Sequence, residues 1–252
     1  HTAGIATVAT NTKVTVNDDG TLNPYSYRVC FIDPYQGSVA ASWAIDKLGY
    51  KTAAILYDIS SDYAQGFRQY FVEYFEANGG KIVADESHNS GDTDFRAQLT
   101  NIKKANPDCI LLPGFYKEVA LIAKQARDLG IDATLLGGDG WQSETLNEMG
   151  GKAIDGSYVV NHLDDNDPAV QPLKELYRET YGQDATVELN AYMGHDAFLL
   201  LCAAIEKAGT ADPEKVAEAM TQVEVQGLTG TIRMSPEDHN PAGKEAAIQQ
   251  YK

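Results

Sequence analysis

The chain has 252 residues, with 20 Lys and Arg against 36 Asp and Glu, for a formal net charge of −16 at pH 7. That length makes one large domain or two small ones, and 43% apolar residues are enough to bury a real core. So acidic a surface repels phosphate backbones and anionic lipid, which makes nucleic acid and membrane surfaces poor partners. The most apolar stretch, residues 197–205 (AFLLLCAAI), falls well short of the roughly 18 residues a membrane-spanning helix needs. Cys30, Cys109 and Cys202 lie in apolar runs without CxxC spacing, so they make no disulfide framework. The opening residues HTAGIATVATN lack the basic, apolar and cleavage regions of a secretion signal.

In chain order, residues 5–10 and 27–32 are the first strand candidates. Apolar runs at 52–57, 81–86, 108–112, 133–136 and 156–161 then alternate with helical patterns at 61–78, 95–105, 116–129 and 143–149. Short apolar runs alternating with helices predict βαβ units and a parallel sheet. Gly79-Gly80, Asn106-Pro107 and Gly130 stand where those helices should stop. Phe67, Tyr70, Phe71, Tyr74 and Phe75 fall at i, i+3, i+4, i+7 and i+8, the buried face of an amphipathic helix rather than a base-stacking surface. Behind this region come helices at 169–181, 189–208 and 213–222, then strands at 230–234 and 245–251. The organisation is therefore one complete α/β domain over 36–163, with 1–35 and 164–240 as parts of a second and 241–252 as a return segment toward the first.

An open parallel sheet binds ligands outside the carboxyl ends of its strands. That rule nominates the loops 58–63 (DISSDY), 87–93, 113–117 (PGFYK), 137–141 (GGDGW) and 162–165. In GGDGW the glycines allow close backbone approach, Asp139 is a fixed acceptor and Trp141 a flat apolar wall. The same residues also suit a simple turn whose Asp caps the helix after Ser143, and the residues alone leave both readings open. Asp92-Thr93-Asp94 reads as a helix cap. No GxSxG, P-loop, GxGxxG or HExxH signature occurs, and the five histidines have no metal-ligand spacing. A triad assembled on paper from Ser87, His88, Ser90 and Asp92 reads better as a polar loop, and the acidic run 164–167 as a solvated loop rather than a Ca²⁺ site. No cofactor and no metal is called for.

The stretches GDTDFRAQLTNIKKANPDCILLPGFYKE (91–118) and ARDLGIDATLLGGDGWQSETL (126–146) resemble type I solute-binding proteins of ABC importers, in particular the branched-chain amino-acid group. ATNTKVT, FIDPYQGSVAASWAI, ILYDISSDYAQG, AYMGHDAFLLLCAAIEKAG and TGTIRM extend the match in the right order along the chain. The resemblance implies an α/β fold of two Rossmann-like lobes that close on a small solute, here one complete lobe and an incomplete one. It implies no catalysis, a periplasmic or extracellular location with a lipid anchor as one form of the full-length precursor, and an ABC-transporter permease as partner. It places Asp139 where an acidic residue holds the ammonium of an amino acid, and Thr10 where a threonine helps bind the carboxylate. Phe115 and Tyr116 fall on a pair of tyrosines beside the pocket, with Phe115 lacking one hydroxyl. Tyr63 matches a cleft tyrosine, Asp33 sits at a crossover near the ligand, and His195 replaces a tyrosine in a GYDA-like stretch. With Trp141 these form the expected solute site, suited to an apolar side chain. About 90–100 residues of leading βα units are missing relative to the family, at roughly 30 per unit. An incomplete lobe exposes strand edges and a helix face, so a preceding segment or a homodimer is expected to cover them. The alternative function is the ligand-sensing effector domain of a receptor or regulator with the same fold; an enzyme is a third reading that the missing motifs disfavour.

Overall fold

The computed structural model describes residues 2–252. The first elements are β1 (Gly4–Ala6), β2 (Ser26–Arg28) and α1 (Asp33–Ser42), which runs on into a π-helical turn over Trp43–Lys47. The central series is β3 (Thr52–Asp58), α2 (Asp62–Ala77), β4 (Lys81–His88), α3 (Arg96–Ala105), β5 (Cys109–Leu111), α4 (Tyr116–Asp128), β6 (Thr134–Gly137), α5 (Glu144–Gly150) and β7 (Tyr158–Asn161). The chain ends with α6 (Gln171–Tyr181), α7 (Leu189–Ala208), α8 (Pro213–Met220), β8 (Glu224–Gly227), β9 (Gly230–Arg233) and β10 (Ala247–Gln250). It divides into a central unit, Asp33–Asn161 with Ala247–Lys252, and a flanking unit, His1–Ile32 with His162–Ala246.

The central unit is a six-stranded sheet in the order β10-β7-β6-β5-β3-β4. Its five strands from β3 to β7 are parallel, and β10 pairs antiparallel with β7 through Ala247–Asn161 and Gln250–Tyr158. The inner strands β3, β5 and β6 read as apolar runs because both of their faces are covered, while the edge strands β4 and β10 keep polar residues. Side chains alternate, so Ala54, Leu56, Ile110 and Leu112 join the core beneath α3, α4 and α5 while Ala53 and Ile55 point the other way, toward α2. On that second face Phe67, Phe71 and Phe75 of α2 are fully buried and Tyr70 and Tyr74 half-buried, as a stripe at helical spacing demands. A Cβ on Gly37 would stand 2.7 Å from the Phe71 nitrogen, so a side chain there would separate α1 from α2. The helix ends follow local chemistry: Ser61 Oγ accepts from the Ala64 N–H at the start of α2, and Asn106 closes α3 in the left-handed region at φ 48°.

The flanking unit has two small ladders, β1 with β2 in parallel and β8 with β9 antiparallel. Their core is Tyr27, Val29 and Cys30 against Tyr192, Met193, Leu200 and Met220 of the helices. Both leading strands are shorter than the predicted 5–10 and 27–32. The carbonyls of Ala9 and Asn11 are taken by the buried Arg28 guanidinium, at 2.8 Å each, instead of by a neighbouring strand. β8 carries no strand signal, because Val225 is the one large apolar residue in EVQG and the strand is only half-covered.

Candidate functional site

Three loops at the carboxyl ends of β3, β5 and β6 converge in the central unit. Asp139 follows β6 directly and is 8% exposed. Its Oδ1 accepts from the Tyr63 hydroxyl at 3.1 Å and from Gln36 Nε2 at 2.9 Å. Tyr63 stands in the first turn of α2, and Gln36 is fully buried on α1. Burial, then the charges of Asp139 and Asp33, push the Tyr63 phenol well above its ordinary value, so it stays protonated and donates. The result is a carboxylate held in one orientation by two neutral donors from two helices, an arrangement suited to a cationic ligand group. Gln36 is absent from the sequence-based site; its one signal is a polar residue set among small apolar ones in FIDPYQGSVAASWAI.

The glycines around Asp139 are there for packing. A Cβ on Gly138 would lie 2.5 Å from Gln36 Nε2 and 2.7 Å from the Tyr63 hydroxyl oxygen, and one on Gly140 2.7 Å from the Gly114 carbonyl. On Gly137 it would run into the Trp141 indole. Trp141 itself corrects the sequence-based reading. It is completely buried in the core, with Nε1 donating to the Leu112 carbonyl at 3.0 Å, so it braces the loop from below and is no wall of an open site. The N-cap of α5 is also not Asp139 but Ser143, whose hydroxyl accepts from the Thr145 N–H.

Phe115 precedes α4, is 52% exposed, and tilts against Tyr63 with ring centroids 5.5 Å apart. Tyr116 begins α4 and packs half-buried against the main core. Asp33 is the first residue of α1 and is buried. Tyr63, Phe115 and Asp139 thus come together with Gln36, and Tyr116 adjoins Phe115 along the chain. The Ser87–Asp92 loop forms no triad: His88 Nδ1 lies 3.0 Å from the Asn89 carbonyl, and Asp92 Oδ2 accepts from the Asn89 N–H.

In the flanking unit, Thr10 is buried in a segment shaped by Arg28, whose guanidinium holds the carbonyls on either side of it. His195 lies on α7 with Nδ1 3.1 Å from Oδ1 of Asp196. Asp196 is the stronger structural element: fully buried, it accepts from the N–H groups of Leu228 and Thr229 at 2.7 and 2.9 Å and from the Thr229 hydroxyl at 2.6 Å. In the acidic run, Asp165 pairs with Lys174 at 2.5 Å and Asp167 caps the turn at Ala169, so these carboxylates serve the fold. Among the described residues no group of three or more His, Cys, Asp or Glu is placed to hold a metal ion, and no helix is long and apolar enough to cross a membrane.

Loops gathered at the carboxyl ends of a parallel sheet are where open α/β sheets bind ligands. The periplasmic binding protein family model matches residues 2–252, and the chain belongs to that family. A Leu-, Ile-, Val-, Thr- and Ala-binding protein of Pseudomonas aeruginosa is 30% identical over 82% of this chain and 55% of its own. A leucine-binding protein from Thermotoga maritima superposes with a TM-score of 0.89 at 34% identity, over 99% of this chain and 70% of that one. A branched-chain amino-acid transporter substrate-binding protein of Streptococcus pneumoniae, in complex with isoleucine, superposes at 0.82 with 28% identity, over 91% of this chain and 65% of that one. The chain spans about half the length of the curated relatives it matches.

Proposed function

We propose that this chain belongs to the solute-binding component of an ABC importer and takes up an amino acid with an apolar side chain. The observation that carries the reading is the Asp139 carboxylate, oriented by Tyr63 and Gln36 at the carboxyl end of β6. The ammonium group of the solute meets Asp139 in a charge-assisted hydrogen bond, and Thr10 contributes to holding the carboxylate. Tyr63, Phe115 and Tyr116 offer aromatic faces to the side chain, and Asp33 and His195 are further ligand-binding residues in this reading. The names of the relatives support the substrate class and the importer. Its partner is then a membrane permease, its location periplasmic or extracellular, and its role binding without catalysis. The flanking unit is read as part of a lobe whose remaining strands lie in the portion of the relatives outside the match.

Calorimetry on the intact protein tests this. Leucine, isoleucine or valine should bind, and glutamate poorly, because its second carboxylate would face Asp139. Asp139→Asn should cost about 2–5 kcal/mol, roughly 30- to several-thousand-fold in affinity, with the fold retained. Unchanged affinity in that variant would remove Asp139 from the site, and preference for acidic amino acids would overturn the substrate class.

A further inference from the structure

Arg28 ends β2 with its side chain fully buried in the flanking unit. Nη1 donates to the Ala9 carbonyl and Nη2 to that of Asn11, each at 2.8 Å. Nη2 also reaches the Thr15 hydroxyl at 3.2 Å and the Thr12 carbonyl at 3.4 Å. The buried Cys30 thiol adds a second donor to the Ala9 carbonyl, at 3.4 Å. A guanidinium is planar and holds its donors in a fixed fork, so one side chain sets the peptide planes on both sides of Thr10.

In a trans peptide the carbonyl of one residue and the N–H of the next point in opposite directions, and the chain has no cis bond. With the Ala9 carbonyl turned onto Arg28, the Thr10 N–H is turned away from it. Thr10 is 2% exposed, and among the described residues neither its N–H nor its hydroxyl has a protein hydrogen-bond partner. The hydroxyl is not sealed in, so the small part of Thr10 that reaches the surface includes that oxygen. Donors left unpaired at so buried a residue are rare and call for an acceptor from outside the chain. Two of them on one residue suit the two oxygens of a carboxylate.

We infer that Arg28 is a positioning residue for the solute carboxylate: it holds Ala9 and Asn11 from behind and so presents the Thr10 N–H and hydroxyl to that group. Being fully buried, Arg28 does not touch the solute itself. The inference rests on the amino-acid reading above, in which Thr10 helps hold the carboxylate. It adds how a chain of net charge −16 receives an anionic group there: the donors are aimed before the solute arrives, with a cation behind them. Arg28 thereby sets selectivity for a free carboxylate over an amide.

The test is Arg28→Lys in the intact protein, titrated with leucine and with leucinamide by calorimetry at neutral pH. Lysine keeps the charge and loses the fork, so leucine should weaken about tenfold or more, as for one charge-assisted hydrogen bond, and leucinamide much less. A purely structural role would weaken both equally. Nuclear magnetic resonance of the wild type gives a second reading that holds even if the variant does not fold. Leucine should move the Thr10 amide proton downfield, and leucinamide should move it less. Equal loss for the two ligands, unchanged leucine affinity in the variant, or a Thr10 amide indifferent to leucine would overturn the inference while leucine binding itself stands. Failure of the wild type to bind leucine would instead overturn the amino-acid reading, and this inference with it.

Discussion

The central and flanking units solve the burial problem differently. The central unit has a six-stranded sheet with helices on both faces; β3, β5 and β6 bury most of their side chains, and α2 buries Ala64, Phe67, Phe71 and Phe75. The flanking unit has two ladders of two strands each, too few to anchor its helices on a sheet. Within it α6 buries no residue, and Phe198 on α7, Leu176 and Tyr181 stand 63%, 58% and 69% exposed. Beside its apolar core of Tyr27, Tyr192, Met193 and Leu200 it carries a set of buried polar clamps: Arg28 on the carbonyls of Ala9 and Asn11, Asp196 on the β8–β9 turn, and Lys244 on the Thr229 carbonyl at 2.8 Å. Apolar packing spreads its stabilisation over many contacts, whereas a clamp concentrates it in one residue.

The sharpest test of this contrast is Asp196→Ala. It removes three hydrogen bonds to the β8–β9 turn, as well as the contact with His195, and leaves buried donors at Leu228 and Thr229 without partners, so it should cost about 3–5 kcal/mol. Hydrogen exchange should show protection lost over Glu224–Gly227 and Gly230–Arg233 and kept in the β3 and β5 strands. Equal loss in both units would mean that they unfold as one, and the contrast would fail.

In the central unit the matching test is Gly138→Ala. The added methyl would press on Gln36, Phe67 and Tyr63, and overpacking of this kind costs about 1–3 kcal/mol. Asp139 loses its two donors if they are displaced, so amino-acid affinity should fall along with the melting temperature. Affinity unchanged at lower stability would show that the positions of Tyr63 and Gln36 do not matter for binding.

The smallest effect concerns Lys244, whose amine burial lowers to about 8, with Asp196 opposing that shift. Between about pH 8 and its ordinary value near 10.4 the unfolded chain holds a proton that the folded one has released. Stability contributed at this position therefore rises with pH. Measured against Lys244→Met, the wild type should gain about 1 kcal/mol between pH 8 and 9, read from denaturant midpoints. Cys109 works in the opposite direction above about pH 9, since burial raises its thiol, which is why the difference between the two proteins is the quantity to follow. A difference that stays flat would show the ammonium to be well solvated in the flanking unit, and one that falls would show it to be stabilised as a cation by its partners.

Much of the central unit is legible in one dimension. Apolar runs at 52–57 and 133–136 become β3 and β6, shifted by a residue or so, and the aromatic stripe of α2 becomes its buried face. These signals are local: a period of 2 or 3.6 and a residue such as Asn106 that ends a helix are properties of a few neighbours. The position of Asp139 is legible for the same reason, since the end of a strand marks where a ligand loop begins. The roles within that loop are not. Gln36 and Asp139 are 103 residues apart, and only the packing of α1 beside α2 brings them within 2.9 Å. Trp141 looks like a wall in sequence and is a foundation in space, because the missing side chain of Gly137 gives its indole room to fold inward. Asp196 and Thr229 meet across 33 residues in the same way. Sequence periodicity sets which elements form; which polar groups face each other depends on how those elements pack, and that is decided only in three dimensions.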